Sequence, residues 1–381
     1  MNVIWDWNGT LLNDVDMAVA VTNVVFAPRG YRTLTREEYR GCFRFPVRDY
    51  YRERGIGDDA FEEVAQAWSA GYAEAFPDAL LFADAAETVK RFQSAGVGQA
   101  IVSASQRDML QEQVNHFPAL RGRFDQLVGV DDIYAHGKID LARRYMTQAG
   151  IDPRNTVLLG DSCHDAEVAR ALVCRCILID RGHQTRQVIA KAGVPIVHSL
   201  QEAADMLLAH QPPLPVTERL VFTTLSSDMA EDLCRNSLDA ENRRFVPDEV
   251  FETEADAAKV IASLLDAAKS PKGPYVLPLL RREDGANIGY VQAAHLDEGW
   301  EIGYHIGAPW RGQGYATEAA RAALPYLAAR LGVQELLGVA LEENAASCRV
   351  LEKCGMTLTF RGVAPYQGEN RPIRQYCWHR A

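Results

Sequence analysis

At 381 residues, with 48% hydrophobic and 24% charged side chains, the chain has the size and composition of two or three globular domains. Its formal net charge of −11 is spread over both halves, and no basic stripe interrupts it, so the footprint of a nucleic-acid binder is excluded while small anionic ligands remain possible at a local positive site. No apolar run is long enough to span a bilayer, no basic-then-apolar leader opens the chain, and the eight cysteines are scattered, so a cytoplasmic protein with reduced thiols and no membrane partner is expected.

Val3 to Trp7 reads as a buried strand, broken by the turn chemistry of Asn8-Gly9-Thr10. Asp6 therefore falls at the carboxyl end of a strand, where open α/β sheets place their ligand crevice. On this stretch alone it is either a functional carboxylate (nucleophile, metal ligand or both) or a cap for the next turn. Residues 14–80 read as mostly helical, with amphipathic runs from Asp16 to Phe26 and from Asp58 to Phe76. Between them, Tyr39 to Tyr51 is dense in arginines and aromatics. It is either a solvated helix face over an apolar base or a lid selecting substrate through Arg44 or Arg48.

From Asp84 the pattern alternates. A helix from Ala85 to Ser94 precedes a strand from Gln99 to Ser103, a helix from Arg107 to His116 and a strand from Phe124 to Val130. His136-Gly137-Lys138 opens a helix to Gln148, followed by a strand from Thr156 to Leu159 and a helix running on from Gly160-Asp161-Ser162-Cys163-His164-Asp165 to Leu172. Strands from Cys174 to Ile179 and Pro195 to His198, then a helix from Leu200 to His210, complete this half. Such alternation predicts a parallel sheet covered by helices on both faces.

Asp6, Ser103, Lys138 and the Asp161/Asp165 pair each sit just after a strand or at a helix start, along one edge of that sheet. Singly, each has an ordinary alternative as a cap or a surface charge. The ordered set, with Asp6-Trp7-Asn8-Gly9-Thr10-Leu11, resembles the haloacid dehalogenase (HAD) superfamily, nearest its phosphoglycolate-phosphatase-like branch. The resemblance covers about residues 1–210 and implies a Rossmann-like sheet with a helical cap inserted at about 14–80. It implies that Asp6 attacks phosphorus and that Mg²⁺ lies between Asp6, Asp161 and the backbone carbonyl of Asn8. Asp165 would bind or orient the metal, and Ser103 and Lys138 would hold phosphate oxygens. One position departs from the pattern: the family's second aspartate, an acid/base, is Asn8 here. An amide preserves the shape but delivers no proton, a loss worth about 10²–10⁴-fold.

Gln211-Pro212-Pro213-Leu214-Pro215-Val216 is a stiff, proline-rich linker, and residues 217–381 form the second domain. Thr217 to Leu225 alternates as a strand, helices follow to about Leu238 and from Glu254 to Ala268, and strands from Tyr275, Ile288 and Glu301 form an antiparallel meander. Pro309 to Thr317 then leads into a long helix ending near Leu331-Gly332, a strand from Glu335 to Leu341, a helix from Ala345 to Cys354, and strands near Met356 to Arg361 and Arg374 to His379. The glycine-rich turn Arg311-Gly312-Gln313-Gly314-Tyr315-Ala316 opens a helix N-terminus, which favours anions. This order, with Glu342-Glu343-Asn344-Ala345-Ala346-Ser347, resembles the GNAT acetyltransferases, nearest the ribosomal-protein (RimJ/RimL-like) type, over about 217–381.

That resemblance implies an α+β domain binding acetyl-CoA, with its pyrophosphate on the amides of 311–316 up to Thr317 and its pantetheine arm along Tyr304-His305-Ile306 and Asn344. Ser347 is the implied general acid, because Leu351 stands where many relatives carry a tyrosine. Glu301 is the candidate base for the incoming amine. The expected protein is a bifunctional enzyme acting on small phosphorylated and amine substrates, in which the two halves serve consecutive steps on one phosphorylated amino compound. The alternative is an acetyltransferase of a small molecule or a protein N-terminus, whose first half only binds a phosphorylated ligand.

Overall fold

The computed structural model describes residues 1–130, 137–209 and 211–380; His136 and the helix end at His210 lie outside them. The chain divides into two compact units, Met1–His210 and Gln211–Ala381.

In the first unit β1 (Asn2–Trp5) is followed by β2 (Leu12–Asn13), α1 (Val15–Phe26), α2 (Arg36–Cys42), α3 (Val47–Glu53), α4 (Asp58–Ala75) and β3 (Leu80–Leu81). Then come α5 (Ala85–Ser94), β4 (Gly98–Gln106), α6 (Arg107–His116), β5 (Gln126–Val130), α7 (Lys138–Gln148), β6 (Thr156–Gly160), α8 (Cys163–Leu172), β7 (Arg175–Ile179), α9 (Arg186–Ala190), β8 (Ile196–Val197) and α10 (Leu200–Leu208). Six strands form a parallel sheet in the order β5-β4-β1-β6-β7-β8. β1 is central and short, and its apolar residues are buried on both faces as a covered parallel sheet requires. The cap helices α1–α4 gather their own core around Phe26, Tyr39, Tyr50, Tyr51 and Phe61. The insertion is pinned at its neck, where Leu12 pairs with Leu81 and Asn13 with Leu80. That ribbon, which brackets the stretch at 14–80 expected to be mostly helical, is unexpected; two-residue strands carry no readable period.

The second unit runs β9 (Leu220–Phe222), α11 (Ala230–Ser237), α12 (Ala240–Phe245), α13 (Glu254–Ala267), β10 (Tyr275–Arg281), β11 (Asn287–Leu296) and β12 (Gly299–Ile306). It continues with α14 (Tyr315–Leu331), β13 (Glu335–Leu341), α15 (Ala345–Lys353), β14 (Thr357–Tyr366) and β15 (Glu369–His379). The sheet order is β14-β15-β13-β12-β11-β10-β9, antiparallel except between β12 and β13. The proline-rich stretch is not a free connector: the Pro215 carbonyl accepts from Phe222 N–H (3.1 Å), and Val216 bridges to Val221 within the second unit. The last hairpin is longer than expected. Pro365 and Pro372 argue against strands, yet both are accommodated in it, and Gln367-Gly368 turns it with positive φ at both positions, as a two-residue type I′ loop needs.

Candidate functional sites

In the first unit the chain leaves β1 toward β4 on one side and later returns to β6 on the other. A sheet opens a crevice at the carboxyl ends of its strands at such a reversal. Asp6 stands there, with Ser103, Lys138, Asp161, Asp165 and His183 around one cavity. The buried Lys138 ammonium lies 2.5 Å from an Asp6 oxygen and 2.7 Å from Asp165 Oδ1. Asp165 Oδ2 accepts from the N–H groups of Asp161 (3.2 Å) and Ser162 (3.0 Å) and from the Ser162 hydroxyl (2.7 Å). Asp165 is thus both the cap of α8 and the counter-ion of Lys138. The Thr10 hydroxyl bridges Asp6 (3.4 Å) and Asp161 (3.2 Å).

Charge is scarce in this crevice. Burial, then the neighbouring Asp165, push the Asp6 carboxyl up against the pull of Lys138. Burial pushes Asp161 up as well. Burial also opposes ionisation of Asp165, but Lys138 and Ser162 outweigh it and hold that group low.

Behind them lies a second network. The Asn8 amide nitrogen donates to Asp14 Oδ2 (2.9 Å) and to the Tyr72 hydroxyl oxygen (2.8 Å), and Asn8 Oδ1 accepts from the Ser105 hydroxyl (2.8 Å). Asp14 Oδ1 accepts from Gly9 N–H (2.8 Å) and faces His183 Nε2 at 3.1 Å. His183 Nδ1 meets the Tyr39 hydroxyl at 3.0 Å. Burial works against a charged His183, but Asp14 overrides it and raises the imidazole to about 9. The result is a buried Asp14–His183 ion pair.

In the second unit, β12 and β13 run parallel but are joined at a single pair, Glu301 with Leu337, among the described residues. Beyond it they frame a cavity of about 680 Å³. At one end lie Gly312, Gly314, Tyr315, Ala316 and Thr317. Gly312 (φ 73°) and Gly314 (φ 84°) take the left-handed turn that starts α14, whose first-turn N–H groups have no intrahelical acceptor. At the other end Glu301 is pushed up to about 7 by burial. Between them the Tyr304 hydroxyl lies 2.9 Å from the Ser347 hydroxyl, and Asn344 Oδ1 caps α15 by accepting from Ser347 N–H (3.1 Å).

Residues 3–179 match the sequence model of the haloacid dehalogenase-like hydrolases, and residues 219–357 that of the acetyltransferase (GNAT) domain. The chain joins a HAD-like domain to a GNAT domain. Over 206 residues it is 24% identical to a phosphoglycolate phosphatase of Pseudomonas savastanoi pv. phaseolicola, covering 51% of this chain and 75% of that one. Over 142 residues it is 27% identical to an uncharacterized N-acetyltransferase of Bacillus subtilis, covering 37% of this chain and 80% of that one. A solved haloacid dehalogenase-like hydrolase of Streptococcus pneumoniae superposes with a TM-score of 0.48 at 18% identity, over 55% of this chain and 98% of that one.

In the HAD domain the expected Asp6, Asn8, Ser103, Lys138, Asp161 and Asp165 all line one cavity. Arg44 and Arg48 do not: Arg44 pairs with Glu53 (2.6 Å) and Arg48 with Asp58 (3.0 Å) on the cap's exterior, and the aromatics of the same segment face the cavity instead. In the GNAT domain Glu301, Tyr304, His305, Ile306, Asn344 and Ser347 line the cleft. Arg311 lines that cleft as well, Gln313 does not, and Arg311, Gln313 and His305 each have partners within the domain. Arg311 N–H turns back to the Ala308 carbonyl (3.3 Å), and its guanidinium is spent on Asp239 (2.8 Å) and Glu241 (3.0 Å), so the anion-facing amides start at Gly312. Gln313 is not in the lining; its amide donates to the Pro309 carbonyl (3.1 Å). His305 Nε2 is held at 2.7 Å from the Asn242 amide, and burial lowers its imidazole to about 4, which makes it a neutral wall.

Asp14, His183, Tyr72 and Asn242 were not anticipated. His183 had a signal, since Asp180-Arg181-Gly182-His183 follows a strand just as Asp161 does. Asn242 sits in α12, whose Asp239 N-cap accepts from Glu241 and Asn242 N–H at 2.9 and 3.1 Å.

The first cavity suits a hard divalent cation. Donor oxygens of buried Asp6, Asp161 and Asp165 lie within 4.8 Å of one another, and Lys138 pairs with only two of the three, Asp6 and Asp165. The backbone closes on them: a Cβ at Gly182 would stand 2.1 Å from Asp161 Oδ2, and one at Gly9 2.4 Å from the same oxygen. Asp6, Asp161 and the Asn8 carbonyl are the residues that would hold Mg²⁺, which neutralises phosphate charge when bound. Gly182→Ala is expected to displace Asp161 and weaken Mg²⁺ binding by about 10–100-fold, measured by calorimetric titration. The comparison variant Gly41→Ala, on α2 and without positive φ, meets no atom within 4 Å.

Proposed function

We propose that the protein is a bifunctional enzyme, a Mg²⁺-dependent phosphomonoesterase joined to an acetyl-CoA-dependent N-acetyltransferase of small amines. The observation that carries the first activity is the convergence of Asp6, Lys138, Asp161 and Asp165 in one buried crevice. Asp6 attacks phosphorus and becomes an aspartyl phosphate, while Lys138 and Ser103 hold the non-bridging oxygens. In the GNAT domain the first turn of α14 takes the pyrophosphate and Glu301 accepts the proton of the attacking amine. Ser347, backed by the Tyr304 hydroxyl, protonates the departing thiolate. The two activities act in succession on one phosphorylated amino compound. The test is incubation with Mg²⁺, acetyl-CoA and a panel of phosphorylated amines; a shared route fails if no acetylated product has a phosphorylated form that the HAD domain binds.

Asn8 supports a second reading, in which the HAD domain binds a phosphate ester without turnover. Asn8 is not an exchangeable stand-in for aspartate, because its nitrogen faces the Asp14 carboxylate at 2.9 Å. Asn8→Asp alone is expected to leave alkyl phosphates unhydrolysed, since it sets two buried carboxylates against each other. Exchanging the pair, Asn8→Asp with Asp14→Asn, is expected to raise kcat/KM for alkyl phosphates by about 10²-fold. Steady-state phosphate release compares the variants, and equal gains from the single and double variants would show that Asp14 is irrelevant.

A further inference from the structure

The cavity over Asp6 has two chemically different ends. One holds the carboxylates, Lys138 and Ser103; the other is aromatic, built from Phe43, Phe45, Tyr50, Phe61, Trp68 and Tyr72. Phe43 stacks on Tyr39 with centroids 5.1 Å apart and meets Phe45 edge-on at 5.4 Å, while Trp68 stacks on Tyr72 at 4.9 Å. The polar groups of that wall are engaged except the Tyr50 hydroxyl, which is buried with no hydrogen-bond partner and is left for a polar substituent of the ligand. Tyr39 is held by His183, Tyr72 by Asp14, and the Trp68 indole N–H by Thr22 (3.0 Å). Gln106 accepts from the N–H groups of Asp108 and Met109.

No second cation faces the ester's body among the described lining residues apart from His183, which Asp14 neutralises. The cap's arginines are committed elsewhere, Arg40 to the carbonyls of Asp180 and Gly182 (both 2.7 Å), Arg44 to Glu53 and Arg48 to Asp58. A carboxylate-bearing leaving group such as glycolate would be desolvated there with no cation to pair with, only the neutral Tyr50 hydroxyl. A flat ring would find aromatic faces and edges.

The second observation is independent of shape. Without an acid at position 8, the leaving oxygen must depart unprotonated. A phenol, with a pKa of about 10, departs far more readily than an alcohol, whose acidity is closer to the 15.7 of water. The wall and Asn8 therefore select the same chemistry.

We propose that the HAD domain's substrate is an aryl phosphate, the phosphate ester of a phenol, bound with its ring against the Phe43/Phe45/Trp68 wall. This rests on the phosphomonoesterase reading of the site. Asp6 bonds to phosphorus as the aryl P–O bond breaks, and the electron pair leaves as phenolate, which takes its proton from solvent. Water then bonds to phosphorus, the Asp6 oxygen–phosphorus bond breaks back to the carboxylate, one of the water's protons stays with phosphate and the other returns to solvent.

The test separates binding from turnover. Calorimetry on the full chain with Mg²⁺ compares phenylphosphonate with 3-phosphonopropionate, a mimic of phosphoglycolate. At least tenfold tighter binding of phenylphosphonate is expected, and equal or reversed affinities overturn the substrate class whether or not any ester is hydrolysed. Phe43→Ala is expected to lower the ratio of phenylphosphonate to inorganic phosphate affinity several-fold; an unchanged ratio removes the wall from recognition. Because the wild-type comparison stands alone, it decides the matter even if the variant misfolds. Absence of phosphate release from every ester, with phenylphosphonate still preferred, would overturn the phosphatase reading and leave the ligand class standing.

Discussion

Asp6→Asn is expected to abolish magnesium-dependent phosphate release from phenyl phosphate, lowering kcat by about 10⁴-fold or more, as loss of a covalent nucleophile does elsewhere. The substitution keeps the side chain's shape, so the effect is chemical. Lys138 retains Asp165 as a partner at 2.7 Å, and Thr10 can still donate to the remaining oxygen from 3.4 Å. One carboxylate fewer in a crowded acidic crevice also relieves repulsion, because Asp165 and Asp161 both raise Asp6. The folded variant should therefore be no less stable than wild type while being inactive. Acid-quench trapping of radiolabelled phosphate provides the second readout: wild type carries label at residue 6, and the variant carries none. Residual activity within tenfold of wild type would mean that Asp6 is only a metal ligand.

Asn8 changes how that trapping experiment is read. The acid/base that would drive breakdown of an aspartyl phosphate is replaced by an amide fixed among Asp14, Tyr72 and Ser105. Formation depends on the leaving group, but breakdown depends on activating water, and a phenol does not help there. The intermediate should therefore accumulate with aryl substrates, giving a burst of phenol ahead of phosphate. Stopped-flow absorbance at the phenol band measures it; a linear onset would show that breakdown is not slowed.

The sequence carried the HAD domain's reacting edge because each group follows a strand of one parallel sheet, and parallel strands deliver their ends to one side. That rule placed Asp6, Ser103, Asp161 and Asp165 along one edge, and the resemblance of the ordered set to the HAD superfamily supplied their expected roles. The cap was less legible. Its segment from Tyr39 to Tyr51 interleaves three arginines with five aromatics, and periodicity does not say which face meets the cavity. The structure turns Phe43, Phe45 and Tyr50 inward and leaves Arg44 and Arg48 to exterior ion pairs. The Asp14–His183 pair joins residues 169 positions apart, a distance no local pattern spans. In the GNAT domain the glycine turn was readable because positive φ demands glycine, whereas Arg311's commitment to Asp239 depends on where α12 packs.

Glu301→Gln is expected to lower kcat/KM for acetyl transfer by about 10²–10⁴-fold, the range for a lost general base. The pH profile makes the assignment specific. Burial raises the Glu301 carboxyl to about 7, so below that pH it carries a proton and accepts none. Activity should fall by about a further tenfold per unit as pH drops below 7, and that added limb should vanish in the variant. The protonation of a free aliphatic amine sets a separate limb at higher pH, near 10 as for lysine, which survives the substitution. Because glutamine is nearly isosteric and Val339 still faces the side chain, acetyl-CoA affinity should be unchanged within about threefold, a free-energy difference below the typical 1 kcal/mol of one hydrogen bond. His305 does not supply a substitute base: its imidazole is lowered to about 4 and its Nε2 is held by Asn242. Retention of the limb near pH 7 in Glu301→Gln would show that Glu301 is not the base.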